Sequence, residues 1–237
     1  MRKWIFIAML FVAGCTQNDT QTGLIQDSSP KSTIDWVDFI QWEGAMYEKN
    51  RQAASLERQW TPGKKLGEVQ FMLDEHADAG HMLENGDAAY LPIGTSVYEL
   101  EGYSPAFRLL ADGDIYEVKE PTSAQTIGDF LDIENHVDSI ALLSNKDRSE
   151  LGQLSQTSTK ELITELLALP YDSSLRDQNA QTRLFFQIRL KDSTTIRLTY
   201  TPESGIINNY AIVSDEMKSL LEREVAAIQE AGREPER

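Results

Sequence analysis

Arg183-Leu184-Phe185-Phe186-Gln187-Ile188-Arg189-Leu190, then Lys191-Asp192-Ser193, then Thr194-Thr195-Ile196-Arg197-Leu198-Thr199-Tyr200-Thr201 is the stretch that decides the fold class. β-Branched and aromatic residues dominate both arms, which suits a pleated, half-buried surface. In the second arm Thr194, Ile196, Leu198 and Tyr200 share one face, because side chains alternate along a strand. The polar Lys191-Asp192-Ser193 is the turn between the arms. The stretch reads as an antiparallel hairpin.

Its neighbours extend it. Residues 206–213 read as the next strand. Ser214 then caps a helix, with Asp215 and Glu216 placed to favour the positive end of its dipole. Met217, Leu220, Leu221, Val225 and Ile228 make the apolar stripe of that helix. On the other side, residues 136–143 read as a strand. Ser158-x-x-Glu161 has the capping-box spacing, with Leu162, Ile163, Leu166 and Leu167 on one face behind it and Pro170 to end the helix. The order β-α-β-β-β-α predicts an antiparallel sheet with two helices on one face over 125–231, and a frayed tail over 232–237.

The first half reads differently. Trp36, Val37, Phe39, Ile40 and Trp42 are strand formers, Glu43-Gly44 is a turn, and Ala45-Met46-Tyr47 returns. Residues 50–60 are a loop or a turn or two of helix, which Pro62-Gly63 closes. Residues 66–73 read as a strand with Gly67 as a bulge, and 74–87 as an irregular loop. Asp112-Gly113-Asp114 joins a further hairpin. Residues 34–121 are thus expected to be a small antiparallel all-β module, separated from the second by 120–125. The fold class is α+β: a small antiparallel β module followed by an α+β module.

Within that first half stand Trp36-Val37-Asp38-Phe39-Ile40-x-Trp42-x-Gly44-x-x-Tyr47, Gly86-Asp87-Ala88-Ala89, Leu91-Pro92-Ile93-Gly94-Thr95-x-x-Tyr98 and Gly102-Tyr103. Together they resemble a family of uncharacterised lipoproteins of Bacillus-type bacteria. The resemblance implies a Gram-positive envelope and no particular activity.

The chain opens with Arg2 and Lys3, an apolar run over 4–13 and then Val12-Ala13-Gly14-Cys15. A basic head, about ten apolar residues and small residues at the end make a secretory signal peptide, too short to span a bilayer at about 20 residues. Val12-Ala13-Gly14-Cys15 resembles the lipobox of bacterial lipoproteins. That resemblance implies cleavage after Gly14 and attachment of diacylglycerol to Cys15, with a further acyl chain such as palmitate on its amine. Two or more acyl chains give stable anchoring at about 0.8 kcal/mol per buried methylene. The expected place is therefore the outer face of the cytoplasmic membrane. Residues 16–33 are polar and read as a tether, which with Cys15 spans on the order of 25 Å.

Cys15 is the single cysteine of 237 residues, so the folded part holds no disulfide or thiolate metal site. Loss of residues 1–14 removes two of the 22 Lys and Arg, leaving 20 against 38 Asp and Glu, a net charge of −18. That balance excludes nucleic acid as a partner, since its binding draws on cations that neutralise phosphates.

No catalytic motif stands out. Ser28-Ser29-Pro30-Lys31 has the S-x-x-K spacing of penicillin-interacting enzymes but lies in the tether and lacks their other motifs. Imidazole and carboxylate together suit zinc, which makes His76, Asp78 and His81 the candidate metal ligands. His76 and His81 are five apart where one helix face needs four, so the segment reads as a solvated loop, with no cofactor expected. His136 beside its strand reads as an edge or core residue. Trp36, Trp42, Tyr47 and Trp60 read as aromatic core more than as an exposed contact surface. The function expected is a membrane-anchored binding module for a protein or cell-wall partner. The alternatives are an envelope hydrolase using unidentified carboxylates and metal capture through His76 and His81.

Overall fold

The structure, a computed structural model, describes residues 37–232 apart from 57, 75, 79 and 177–180. The signal peptide, Cys15, the tether and Trp36 lie outside the described residues. The chain is mixed and mostly β, with antiparallel sheets and three helices among those residues.

The first sheet comprises β1 (Phe39–Trp42), β2 (Ala45–Lys49), β3 (Pro62–Glu68), β4 (Phe71–Met72), β5 (Asp87–Ala88), β6 (Ser96–Leu100), β7 (Arg108–Ala111) and β8 (Asp114–Glu120). Its order is β3-β6-β7-β8-β2-β1-β5-β4. Two turns set its registers. Glu43 and Gly44 have φ of 48° and 80°, and Asp112 and Gly113 have 51° and 80°. Positive φ at both central residues matches the strand twist of a tight hairpin, which is why both turns carry glycine second. Trp42 then faces Ala45, and Ala111 faces Asp114.

Three expectations change here. The pairing of β4 with β5 is parallel, so the sheet is not wholly antiparallel. The single strand expected over 66–73 is broken: β3 stops at Glu68 and β4 pairs elsewhere. Pro62-Gly63 begins β3 instead of closing a loop. Proline is tolerated there because β3 is an edge strand. Gly67 follows a register shift, as its bulge reading required, and a Cβ on it would lie 2.7 Å from Cη2 of Trp42. The missing side chain is the space that the indole occupies. The module also contains one helical turn, α1 (Arg51–Ala54), capped by Asn50, whose side chain accepts from the Ala53 amide at 2.8 Å.

The second sheet comprises β9 (Val137–Leu143), β10 (Glu150–Gln153), β11 (Leu184–Leu190), β12 (Thr195–Thr201), β13 (Ile206–Ile207) and β14 (Ala211–Ile212), in the order β10-β9-β11-β12-β13-β14. The hairpin of β11 and β12 pairs Phe186 with Leu198 and Ile188 with Ile196. Strand β10 carried too few strand formers to be expected. The strand expected over 206–213 is instead two short ones, because Asn208 and Asn209 take φ of 50° and 61° and turn the chain. Asparagine tolerates that conformation better than other residues with a Cβ.

Helices α2 (Gln156–Ala168) and α3 (Asp215–Ala231) carry the expected stripes, with Leu162, Ile163 and Leu166 buried in α2 and Met217, Leu220, Leu221 and Ile228 in α3. Ser214 caps α3 as expected, accepting from the Met217 amide at 2.9 Å. The cap of α2 is Ser155, three residues earlier than the capping-box spacing suggested. Ser158 lies inside the first turn and donates to Glu224 of α3 at 2.7 Å. Ser214 donates to Glu165 of α2 at 2.7 Å, so the two helices are tied at both contacts. One hydrophobic cluster runs through both sheets, from Ile40 and Tyr116 to Ile140 and Tyr200. Among the described residues no helix is long and apolar enough to cross a membrane.

Candidate functional site

The two sheets meet at a buried arginine. Arg108 on β7 is wholly inaccessible to solvent. Its Nη1 donates to Asp192 Oδ2 at 2.8 Å, its Nη2 to Thr194 Oγ1 at 2.8 Å, and its Nε and Nη2 to Glu117 Oε1 at 3.0 and 2.5 Å. A guanidinium out of water requires such a set, since each unmet donor costs free energy. The rings of Tyr103 and Phe107 lie 4.5 and 4.7 Å from its Cζ. Tyr103 donates its hydroxyl to Asp192 at 2.6 Å and stacks on His136 at 4.3 Å. Asp192 is the middle residue of the turn between β11 and β12, so a polar turn of the second sheet is locked into the first.

Electrostatics follow from this packing. Burial pushes the Asp192 carboxyl up, but hydrogen bonds from Thr194 and Tyr103 and the charge of Arg108 outweigh it, leaving Asp192 below the usual aspartate range. Burial, and then the bond to Asp192, hold the Tyr103 hydroxyl far above its ordinary value, so it stays a donor. Both carboxylates of the cluster are committed to one arginine. The arrangement ties the two sheets together.

Beside this clamp a cleft of about 620 Å3 opens between the sheets. The first sheet and α1 contribute Glu48, Arg51, Glu117 and Lys119, and the second contributes Gln187 and Arg197. Asp38 at its edge is held by Lys49 at 3.7 Å and by the Tyr116 hydroxyl at 3.3 Å. Arg51, Lys119 and Arg197 are exposed, and their side chains have no ion pair or hydrogen bond among the described residues.

Comparison with models of protein families, with curated proteins and with solved structures returns no match.

The candidate metal ligands do not converge. The His76 ring Nδ1 lies 2.8 Å from the Asp74 carbonyl oxygen, and Asp78 accepts from the Gly80 amide at 2.9 Å. His81 Nε2 instead lies 2.7 Å from Asp87 Oδ2, with its ring stacked on Phe71 at 4.8 Å. Among the described residues no group of three His, Cys, Asp or Glu is placed to hold a metal ion. Asp87 also accepts from the Glu84 amide at 2.9 Å, so it ties the 74–87 loop back to β5. Trp42 and Tyr47 are buried in the core, and Trp60 is half-buried with Arg58 over its ring at 4.8 Å. Sequence reading missed Arg108 and its partners. The one available signal was an arginine inside an otherwise apolar strand, Arg108-Leu109-Leu110-Ala111, which is costly unless paired.

Proposed function

We propose that the chain is a lipoprotein of the cell envelope, anchored through Cys15 to the outer face of the cytoplasmic membrane, whose folded part is a binding module. The Bacillus-type family pattern supports a Gram-positive envelope. The signal peptide over 1–14 and the polar segment over 16–33 support an anchor with a tether long enough to hold the folded part clear of the headgroups. The observation that carries the binding reading is the cleft between the sheets. It has the volume of a ligand site, and its side chains without a partner among the described residues are Arg51, Lys119, Arg197, Gln187 and one carboxylate, Glu48, while Asp38 and Glu117 pair with Lys49 and Arg108. Hydrolysis by paired carboxylates needs one to protonate and one to attack, and of the three carboxylates lining the cleft only Glu48 is without a partner among the described residues. The same reading takes α2 and α3 as one layer over one face of the second sheet, supported by burial of Leu162 and Leu166 alongside Ile140 and Leu142.

Two measurements test it. Cys15→Ser is expected to move the protein from the membrane fraction into the medium, and unchanged membrane attachment would refute the anchor. The wild type is expected to sediment with purified envelope fragments and to release no soluble product from them. Release of fragments would make it a hydrolase instead.

A further inference from the structure

We infer that the cleft between the sheets binds a small organic anion, a phosphate carried on a polyol, through Arg51, Lys119 and Arg197. The inference rests on reading this cleft as a binding surface. It begins with a contrast of charge. The whole chain carries −16, yet three exposed cations line one cleft, and none has an ion pair among the described residues. Exposed cations without an ion pair are common on this protein; these three are set apart by lining one cleft, beside Lys49, which Asp38 and Asp114 share.

The carboxylates of the cleft share their cations: Asp38 shares Lys49 with Asp114, and Glu117 shares Arg108 with Asp192. Glu48 alone has no cation partner among the described residues. The lining thus carries four cations, Lys49, Arg51, Lys119 and Arg197, against three carboxylates, Asp38, Glu48 and Glu117. A phosphate suits that surplus, because two guanidinium groups present flat forks of donors and phosphate offers several acceptor oxygens. The cleft is also larger than a bare ion requires. The Gln187 side chain, without a partner among the described residues, can donate to or accept from a hydroxyl, and Phe107 and Tyr210 supply apolar walls. These features favour a phosphate attached to a hydroxylated carbon chain.

The cations come from three elements: Arg51 opens α1, Lys119 sits on β8 and Arg197 on β12. The Arg108 clamp, with Gln52 bonded to the Ser193 carbonyl and the Thr195 amide at 3.2 and 3.1 Å, holds these elements in one arrangement. The site is thus organised before a ligand arrives, which lowers the cost of binding.

The test is calorimetric titration of the full lipidated chain in non-ionic detergent. The probes are glycerol 3-phosphate as a free phosphate, glycerophosphoglycerol as the water-soluble headgroup of an anionic lipid, and glycerol as the uncharged control. Binding of either phosphate probe and not of glycerol is expected, and the tighter of the two identifies the source. Arg197→Gln and Lys119→Gln should each weaken it about tenfold, the scale of one lost charge-assisted bond. Arg223→Gln, exposed on α3, should leave it unchanged. Equal weakening by Arg223→Gln would mean general charge attraction and overturn the site. If neither phosphate probe binds while the wild type still sediments with envelope fragments, this inference falls and the binding-module reading stands. If sedimentation also fails, both fall.

Discussion

Arg108 Nη1 and Asp192 Oδ2 are 2.8 Å apart, although 84 residues of chain separate them. One lies on a strand of the first sheet and the other in a turn of the second. Arg108 is sealed from water and also donates to Glu117 and Thr194, and Asp192 also accepts from Tyr103 and Thr194.

Removing one side of this pair should cost more than removing both. Asp192→Ala leaves a buried guanidinium short of a carboxylate and the Tyr103 hydroxyl without its acceptor. The expected loss is about 3–5 kcal/mol, the range for breaking a buried ion pair. Arg108→Met combined with Asp192→Ala should recover part of it, since no guanidinium is then stranded and Glu117, the one charge left, keeps its bond from Asn50. Urea denaturation of the two single variants and the double reads the coupling. Additive losses would mean that the pair is not coupled in the fold.

The same carboxylate predicts a pH dependence. An unfolded aspartate titrates near 4. Asp192 is held below that in the fold, so in the interval between the two values the unfolded chain binds more protons than the native one. Its stabilisation is complete above about pH 4 and is lost as the pH falls through its folded value. The urea midpoint of the wild type should therefore fall more steeply on acidification than that of Asp192→Asn. Parallel curves would remove Asp192 from the acid response.

Gly67 tests the packing of the first sheet. Its Cβ would lie 2.7 Å from Cη2 and 3.2 Å from Cζ2 of Trp42, a buried indole. Gly67→Ala should destabilise the protein by about 1–3 kcal/mol, the usual cost of overpacking. Trp42→Phe is expected to cost less in the Gly67→Ala background than alone, because the shorter ring vacates the contact. A wild-type melting temperature for Gly67→Ala would show that β3 moves away freely.

Asp87 tests the 74–87 loop. Asp87→Asn keeps an oxygen that can accept from the Glu84 amide, so its effect should be small. Asp87→Leu strands that amide and releases His81, at a cost of about 1–3 kcal/mol. Amide exchange should quicken in residues 81–86 more than in the second sheet. Uniform quickening across both sheets would mean that Asp87 supports the whole fold.

Local chemistry made much of this protein legible in the sequence. The turns at Glu43-Gly44 and Asp112-Gly113, the Ser214 cap, the stripes of α2 and α3 and the β11–β12 hairpin depend on residues close in the chain, so periodicity and glycine placement reveal them. Charge likewise set an expectation against nucleic acid, and the single cysteine one against internal disulfides, without any coordinates. The break after Glu68, the parallel pairing of β4 with β5, and the cleft depended on contacts between distant segments. The sequence presented Arg108 as an odd arginine in an apolar strand and Asp192 as an ordinary turn residue. Only the tertiary structure joined them, because a buried charge is tolerated solely where a partner arrives from elsewhere in the fold.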